Sequence, residues 1–123
     1  MNILIIDDDE IFVKTSAYNL LSLGHTVTAA SNGKEALAVI ERNKNFDLIM
    51  CDVLMPELTG PSFLIMLEKI YHGKLPYIAL VSGVKDGEEF VKKIHVEYDS
   101  FLKKPVEMKD LKKMVNDIRG KNK

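Results

Sequence analysis

The segment Ile3-Leu4-Ile5-Ile6-Asp7-Asp8-Asp9-Glu10 sets four apolar residues, three of them β-branched, directly against four acids. A run that short and that apolar reads as a strand rather than a helix. Acids placed immediately after it complement the positive end of a helix dipole and can cap it. A helix does follow in the pattern, because Val13, Ala17, Leu20 and Leu21 fall at i, i+4, i+7 and i+8. Gly24 stands where that helix must stop.

The same change of period repeats along the chain. Apolar runs at Thr26–Ala30, Leu48–Cys51, Tyr77–Val81 and Phe101–Leu102 each precede turn or cap chemistry and then a helical stretch. Ala36, Val39 and Ile40 mark the second helix. Phe63, Met66, Leu67 and Ile70 mark the third, Phe90, Val91 and Ile94 the fourth, and Leu111, Met114, Val115 and Ile118 the fifth. Asn32 with Glu35, and Asp86 with Glu89, have capping-box spacing. Thr59-Gly60-Pro61 puts a proline at a helix start, and Gly73 and Pro76 punctuate the way into the fourth strand. Five strand–helix units in succession predict an α/β fold, a doubly wound parallel sheet with helices on both faces. The second and fourth runs read as buried strands of such a sheet. Residues 120–123 read as a frayed tail beyond a domain spanning 1–119.

Composition excludes several functions. The 123 residues, 46% hydrophobic, suit one domain. Seventeen basic against eighteen acidic residues leave a net charge of −1, so no overall field draws the chain to nucleic acid or to an anionic membrane. The longest apolar runs, Phe63–Leu67 and Tyr77–Val81, fall far short of the about twenty residues of a membrane span. A single cysteine forms no internal disulfide, which suits a reducing, intracellular setting.

In doubly wound sheets ligands bind beyond the carboxyl ends of the strands, where strand order reverses. The residues at those ends are Asp7, Asp8, Asp9 and Glu10, then Asp52, Ser82 and Lys104-Pro105. Taken singly, each has an ordinary reading as cap, turn residue or solvated cation. Together, carboxylates at Asp7, Asp8 and Asp52 would repel one another unless a hard divalent cation offset them. Such a cation beside a lysine and a hydroxyl makes a place for a phosphoryl group, held by position and charge.

With these residues in that order, the chain resembles the receiver domains of two-component response regulators, of the free-standing chemotaxis-regulator type. The resemblance runs from Ile3 to Ile118. It is carried by the acids after the first strand, by Asp52-Val-Leu-Met-Pro-Glu-Leu-Thr-Gly60, by Ser82-Gly83 and by Phe101-Leu-Lys-Lys-Pro105. It implies a flavodoxin-like (βα)5 fold with strand order 2-1-3-4-5. It also implies that Asp52 is the phosphoacceptor, and that Mg²⁺ (or Mn²⁺) is bound by Asp8, Asp52 and the backbone carbonyl of Leu54, with Asp7 acting through water. Lys104 would pair with the phosphoryl oxygens and steady Asp52 beforehand, aimed by a cis Lys104–Pro105 bond. Ser82 would donate to the arriving group, and Phe101 would be the aromatic switch residue that follows it.

The implied donor is a phosphohistidine on a histidine kinase or histidine phosphotransfer protein. The implied output is a shift in the face formed by the fourth helix, fifth strand and fifth helix, read by a downstream effector protein. A cytoplasmic monomer or phosphorylation-dependent dimer that catalyses only its own phosphorylation and dephosphorylation follows from the same likeness. Serine at 82 keeps the donor of the more frequent threonine, and Phe101 lacks a hydroxyl.

A second reading, from another class, is a small phosphatase or phosphotransferase of the haloacid-dehalogenase type, with Asp7 of Asp7-Asp8-Asp9 as nucleophile. A flavin module on the same fold would need a Ser/Thr-Gly-rich phosphate loop after the first strand, and the chain has acids there. Cys51 reads as a small core residue. His25, His72 and His95 lack ligand spacing. From Lys103 to Lys123 eight basic residues face three acidic ones, the pattern of a solvated helix face.

Overall fold

The computed structural model describes residues 1–53, 60–83, 87–93 and 98–121. In chain order the elements are β1 (Asn2–Ile6), α1 (Glu10–Ser22), β2 (Thr26–Ala30), α2 (Gly33–Arg42) and β3 (Leu48–Asp52). They continue with α3 (Gly60–Ile70), β4 (Tyr77–Ser82), α4 (Gly87–Lys93), β5 (Ser100–Lys103) and α5 (Met108–Lys121). All strand pairs are parallel and the order is β2-β1-β3-β4-β5. The chain leaves β1 for β2 on one side and returns to β3 on the other, so strand order reverses between β1 and β3.

Strand alternation distributes the core. Ile3 and Ile5, Leu48 and Met50, Ala79 and Val81 turn one way, onto Leu20 of α1 and Leu111, Met114, Val115 and Ile118 of α5. Leu4 and Ile6, Ile49 and Cys51, Ile78 and Leu80 turn the other way, onto Ala36 and Ile40 of α2 and Phe63, Leu64 and Leu67 of α3. The three central strands are thus sealed on both faces, which is why their sequences are almost purely apolar. Each fully buried Ile or Leu among them contributes about 1.5–3 kcal/mol by leaving water.

The helix ends follow from local chemistry. Asp9 is the N-cap of α1, its side chain accepting from the Phe12 N–H at 3.1 Å. The helix closes in a Schellman arrangement: His25 N–H donates to Leu20 O and Gly24 N–H to Leu21 O, with Gly24 at φ +91°. Asn32 caps α2 by accepting from Glu35 N–H at 2.7 Å. The reciprocal half of the capping box is replaced, because the Glu35 carboxylate accepts from the Ser31 hydroxyl at 2.7 Å. Asp86 lies outside the described residues.

Three expectations change. The second run, Thr26–Ala30, is an edge strand and half exposed rather than buried, since it has a neighbour on only one side. In α1 the inward stripe is Phe12, Val13, Ser16 and Leu20, and Leu21 points outward at 55% exposure. Leu21 follows Leu20 by about 100° of helix rotation, and the sheet accepts only the narrower stripe. The last helix continues through Gly120 to Lys121, inside the segment expected to fray. Gly120 weakens a helix without stopping it, because nothing there requires a left-handed turn.

Candidate functional site

The acids meet at the carboxyl end of the sheet, at the reversal between β1 and β3. Three strands, β1, β3 and β5, are held one residue beyond their ends: Asp7 N–H donates to Ala30 O at 3.0 Å, Val53 N–H to Val81 O at 3.0 Å, and Lys104 N–H to Ser82 O at 2.9 Å. These bonds fix the backbone from which the functional side chains leave. Carboxylate oxygens of Asp7, Asp8 and Asp52 lie within 4.8 Å of one another. Asp7 is buried at 3% exposure, Asp52 is half-buried and Asp8 is exposed, so the cluster opens to solvent on the Asp8 side.

Lys104 reaches into this cluster from the loop after β5. Its Nζ lies 2.8 Å from Asp7 Oδ2, 3.8 Å from Asp9 Oδ2 and 3.9 Å from Asp52 Oδ2. The lysine therefore pairs first with Asp7 and only more loosely with Asp52, a different order from the expected steadying of Asp52. The other Asp7 oxygen accepts from Asp9 N–H at 2.9 Å. Burial by itself would lower the Lys104 pKa. The hydrogen bond to Asp7 and the charges of Asp7, Asp52 and Asp9 outweigh that effect and hold it above its ordinary value. The ammonium is thus firmly charged at neutral pH. The Lys104–Pro105 peptide is cis.

Lys104 also stands over the ring of Phe12, 4.6 Å from its centroid, a cation–π contact worth about 0.5–2 kcal/mol. Nothing in the sequence marks this role, since Phe12 looks like any core residue in the first turns of α1. Ser82 is buried at the end of β4. Phe101 packs against the same core layer as Leu80 and meets the Tyr98 ring edge-on at 6.2 Å. Leu54 lies outside the described residues, as does His95. Cys51 is fully buried, and burial, then the nearby Asp52 and Asp7 charges, push its thiol pKa up, which leaves it unreactive.

Three hard carboxylate donors around one opening fit a hard divalent cation. Across an octahedral Mg²⁺, opposite oxygens are about 4.2 Å apart, close to the spread of this cluster. The arrangement does not suit the haloacid-dehalogenase alternative. Asp7, which would be its nucleophile, is buried, and both its oxygens are engaged by Lys104 and the Asp9 N–H.

Comparison with known proteins agrees with the site. Residues 3–116 match the model of the response regulator receiver domain family. The chain is 36% identical over 118 residues to the alkaline phosphatase synthesis transcriptional regulatory protein PhoP of Bacillus subtilis, covering 94% of this chain and 47% of PhoP. It is 31% identical over 121 residues to the sensor kinase CckA of Brucella abortus, covering 97% of this chain and 12% of CckA. The chain therefore spans half or less of these curated relatives. Among solved structures, a response regulator receiver domain protein from Clostridium thermocellum superposes with a TM-score of 0.85 at 26% identity, covering 98% of this chain and 95% of that one. The chemotaxis protein CheY4 of Vibrio cholerae superposes with a TM-score of 0.82 at 25% identity, covering 95% of this chain and 97% of that one. Matched over nearly its whole length, with an acid cluster at the strand-order reversal, the chain belongs to the response regulator receiver domain family, the phosphoacceptor switches of two-component signalling.

Proposed function

We propose that Asp52 is the phosphoacceptor of this receiver, taking a phosphoryl group from a phosphohistidine on a histidine kinase or histidine phosphotransfer protein. The convergence of Asp7, Asp8 and Asp52 opposite Lys104 carries this reading. Asp8, Asp52 and the carbonyl of Leu54 would hold Mg²⁺ or Mn²⁺, with Asp7 behind them through water. When bound, the cation neutralises charge on the transferring phosphoryl oxygens.

The rest belongs to the chain's own residues. Asp52 is the half-buried acid of the cluster at a strand end, and its carboxylate is the nucleophile of an in-line attack. Lys104, already charged, supplies a fixed cation 3.9 Å from that carboxylate, and Asp7 and the Phe12 ring hold it in place. An acyl phosphate on Asp52 replaces one carboxylate charge by a phosphoryl group of about −2, a net gain of about one negative charge with three new acceptor oxygens. Ser82 then donates to it, and Phe101 responds, biasing the surface of α4, β5 and α5 between two states. A downstream effector protein reads that surface. The receiver unit spans residues 1–119. It acts in the cytoplasm as a monomer or phosphorylation-dependent dimer, and it catalyses only its own phosphorylation and dephosphorylation. No helix among the described residues is long and apolar enough to cross a membrane.

The test is incubation with Mg²⁺ and acetyl phosphate, followed by mapping of the acid-stable, base-labile acyl phosphate. Label on Asp52 that vanishes in Asp52→Ala is expected. Label on Asp7, or label that survives Asp52→Ala, overturns the assignment.

A further inference from the structure

Gly87, the first residue of α4, faces the buried end of β4. A Cβ placed on it would stand 2.6 Å from Ser82 Oγ, 3.0 Å from Ser82 Cβ and 3.4 Å from Phe101 Cζ. The Ser82 hydroxyl therefore rests directly against the α4 backbone, with the Phe101 ring beside it. The positive-φ glycines are Gly24 and Gly73, so the backbone conformation at 87 does not itself demand glycine. What requires the missing side chain is space, and the atoms that use the space belong to Ser82 and Phe101. Gly83, one residue past Ser82, offers a contrast: a Cβ there would meet only the Lys104 stem, at an ordinary 3.6 Å.

We infer that Gly87 is a positioning residue of the switch, its missing side chain forming the recess in which the Ser82 hydroxyl rests against α4. A small shift of the helix start relieves the 3.0 Å contact with Ser82 Cβ. The 2.6 Å contact is relieved only when the hydroxyl turns to another staggered rotamer. Any side chain at 87 thus denies Ser82 its resting rotamer and leaves those directed off α4. Tyr98, edge-on to Phe101, has its hydroxyl 3.5 Å from Glu88 Oε2, so the residue after Gly87 ties the same helix end to the aromatic pair. The inference rests on the phosphoacceptor reading of Asp52. A receiver that spends most of its time with Ser82 in the recess binds a phosphoryl group less tightly, in proportion to the fraction in the competent state.

The experiment measures beryllofluoride binding, with Mg²⁺ present, by NMR titration of wild type, Gly87→Ala, Ser82→Ala and the double variant. Gly87→Ala is expected to tighten binding about fivefold, by removing the resting population. In the Ser82→Ala background the same change has no hydroxyl to displace and leaves affinity within about 1.5-fold, a non-additivity that mere loosening of α4 would not produce. Unchanged or weaker binding by folded Gly87→Ala, or equal tightening in both backgrounds, overturns the inference. If the Gly87→Ala variant does not fold, the wild type decides. The Ser82 χ1 angle from scalar couplings must change when beryllofluoride binds, with the Phe101 ring shifting alongside, and an unchanged χ1 overturns the inference. A wild type that neither binds beryllofluoride nor labels on Asp52 removes the phosphoacceptor reading and this inference together. A wild type that does both, with Gly87→Ala silent, removes this inference alone.

Discussion

Aspartates stand at both ends of the sheet, and they do opposite things. At the amino end, Asp47 donates its N–H to Asn2 O at 2.8 Å and accepts the Asn2 N–H on Oδ2 at 2.7 Å. Asp99 does the same for β4, with Asp99 N–H on Ile78 O at 2.9 Å and Ile78 N–H on Asp99 Oδ2 at 2.7 Å. Each side chain is a clip that satisfies a backbone donor at the start of a strand. At the carboxyl end, Asp7, Asp8 and Asp52 gather within 4.8 Å of one another around one lysine, leaving more negative charge than the described protein groups offset. An aspartate that bonds both the N–H and the carbonyl of one strand residue is structural. Aspartates crowded against each other hold a site open for something positive.

The largest effect expected from breaking this contrast is at Asp52. Asp52→Asn removes the carboxylate proposed as the nucleophile while keeping its shape, and acyl-phosphate labelling from acetyl phosphate is expected to fall about a hundredfold or more. Its urea midpoint without Mg²⁺ rises at the same time, because a like charge has left the cluster. A midpoint that falls would mean that Asp52 is a clip like Asp47.

Lys104 comes next. Lys104→Met leaves Asp7 buried without its counter-charge, and breaking such a pair costs about 3 kcal/mol. Urea unfolding measures that loss. Methionine keeps the stem that packs beside Phe12, so a loss well under about 1 kcal/mol would mean that Asp7 is neutralised by another group.

The clips give the third effect, with the opposite signature. Asp47→Ala and Asp99→Ala each leave a backbone N–H without its charged acceptor, at about 1–3 kcal/mol in the same assay. Labelling on Asp52 stays within about twofold of wild type, since a stable sheet still presents the carboxyl end. Loss of labelling with little loss of stability would erase the distinction between the two ends.

This contrast also marks what could be read from the residues. Tyr77–Val81 announced a buried strand because sealing on both faces leaves no room for polar residues. Asp7, Asp8, Asp52, Ser82 and Lys104 could be gathered because a parallel sheet brings every strand end to one side. The edge position of β2 came with the strand order that the resemblance implied and not from its own residues, because Thr-Val-Thr-Ala-Ala suits one neighbour as well as two. The pairing of Lys104 with Asp7 ahead of Asp52 depends on differences of about an ångström that spacing does not encode. Phe12 under Lys104 and Gly87 against Ser82 were hidden for a related reason. A ring in a helix stripe and a glycine at a helix start each have commoner explanations, and only the distances set those aside.

The smallest effect lies at the amino end, on His25. Its Nδ1 accepts from the Met1 ammonium at 3.0 Å, so the ring carries its proton on Nε2, which is buried and has no hydrogen-bond partner among the described residues. Burial first, then the positive charges of the amino terminus and Arg119, lower its pKa from 6.5. At pH 7.5 the imidazole is mostly neutral in both folded and unfolded chains and contributes little pH dependence. As pH falls through 6.5, the unfolded chain takes up a proton that the folded chain refuses, so stability declines below that point. Urea midpoints of wild type should therefore drop between pH 7.5 and pH 5.5 by more than those of His25→Gln, whose amide oxygen can still accept from Met1. Asp52 labelling at pH 7.5 is expected to be unchanged in this variant, because His25 lies at the end of the sheet opposite the proposed phosphoryl site. Equal pH slopes in the two proteins would place the acid sensitivity elsewhere.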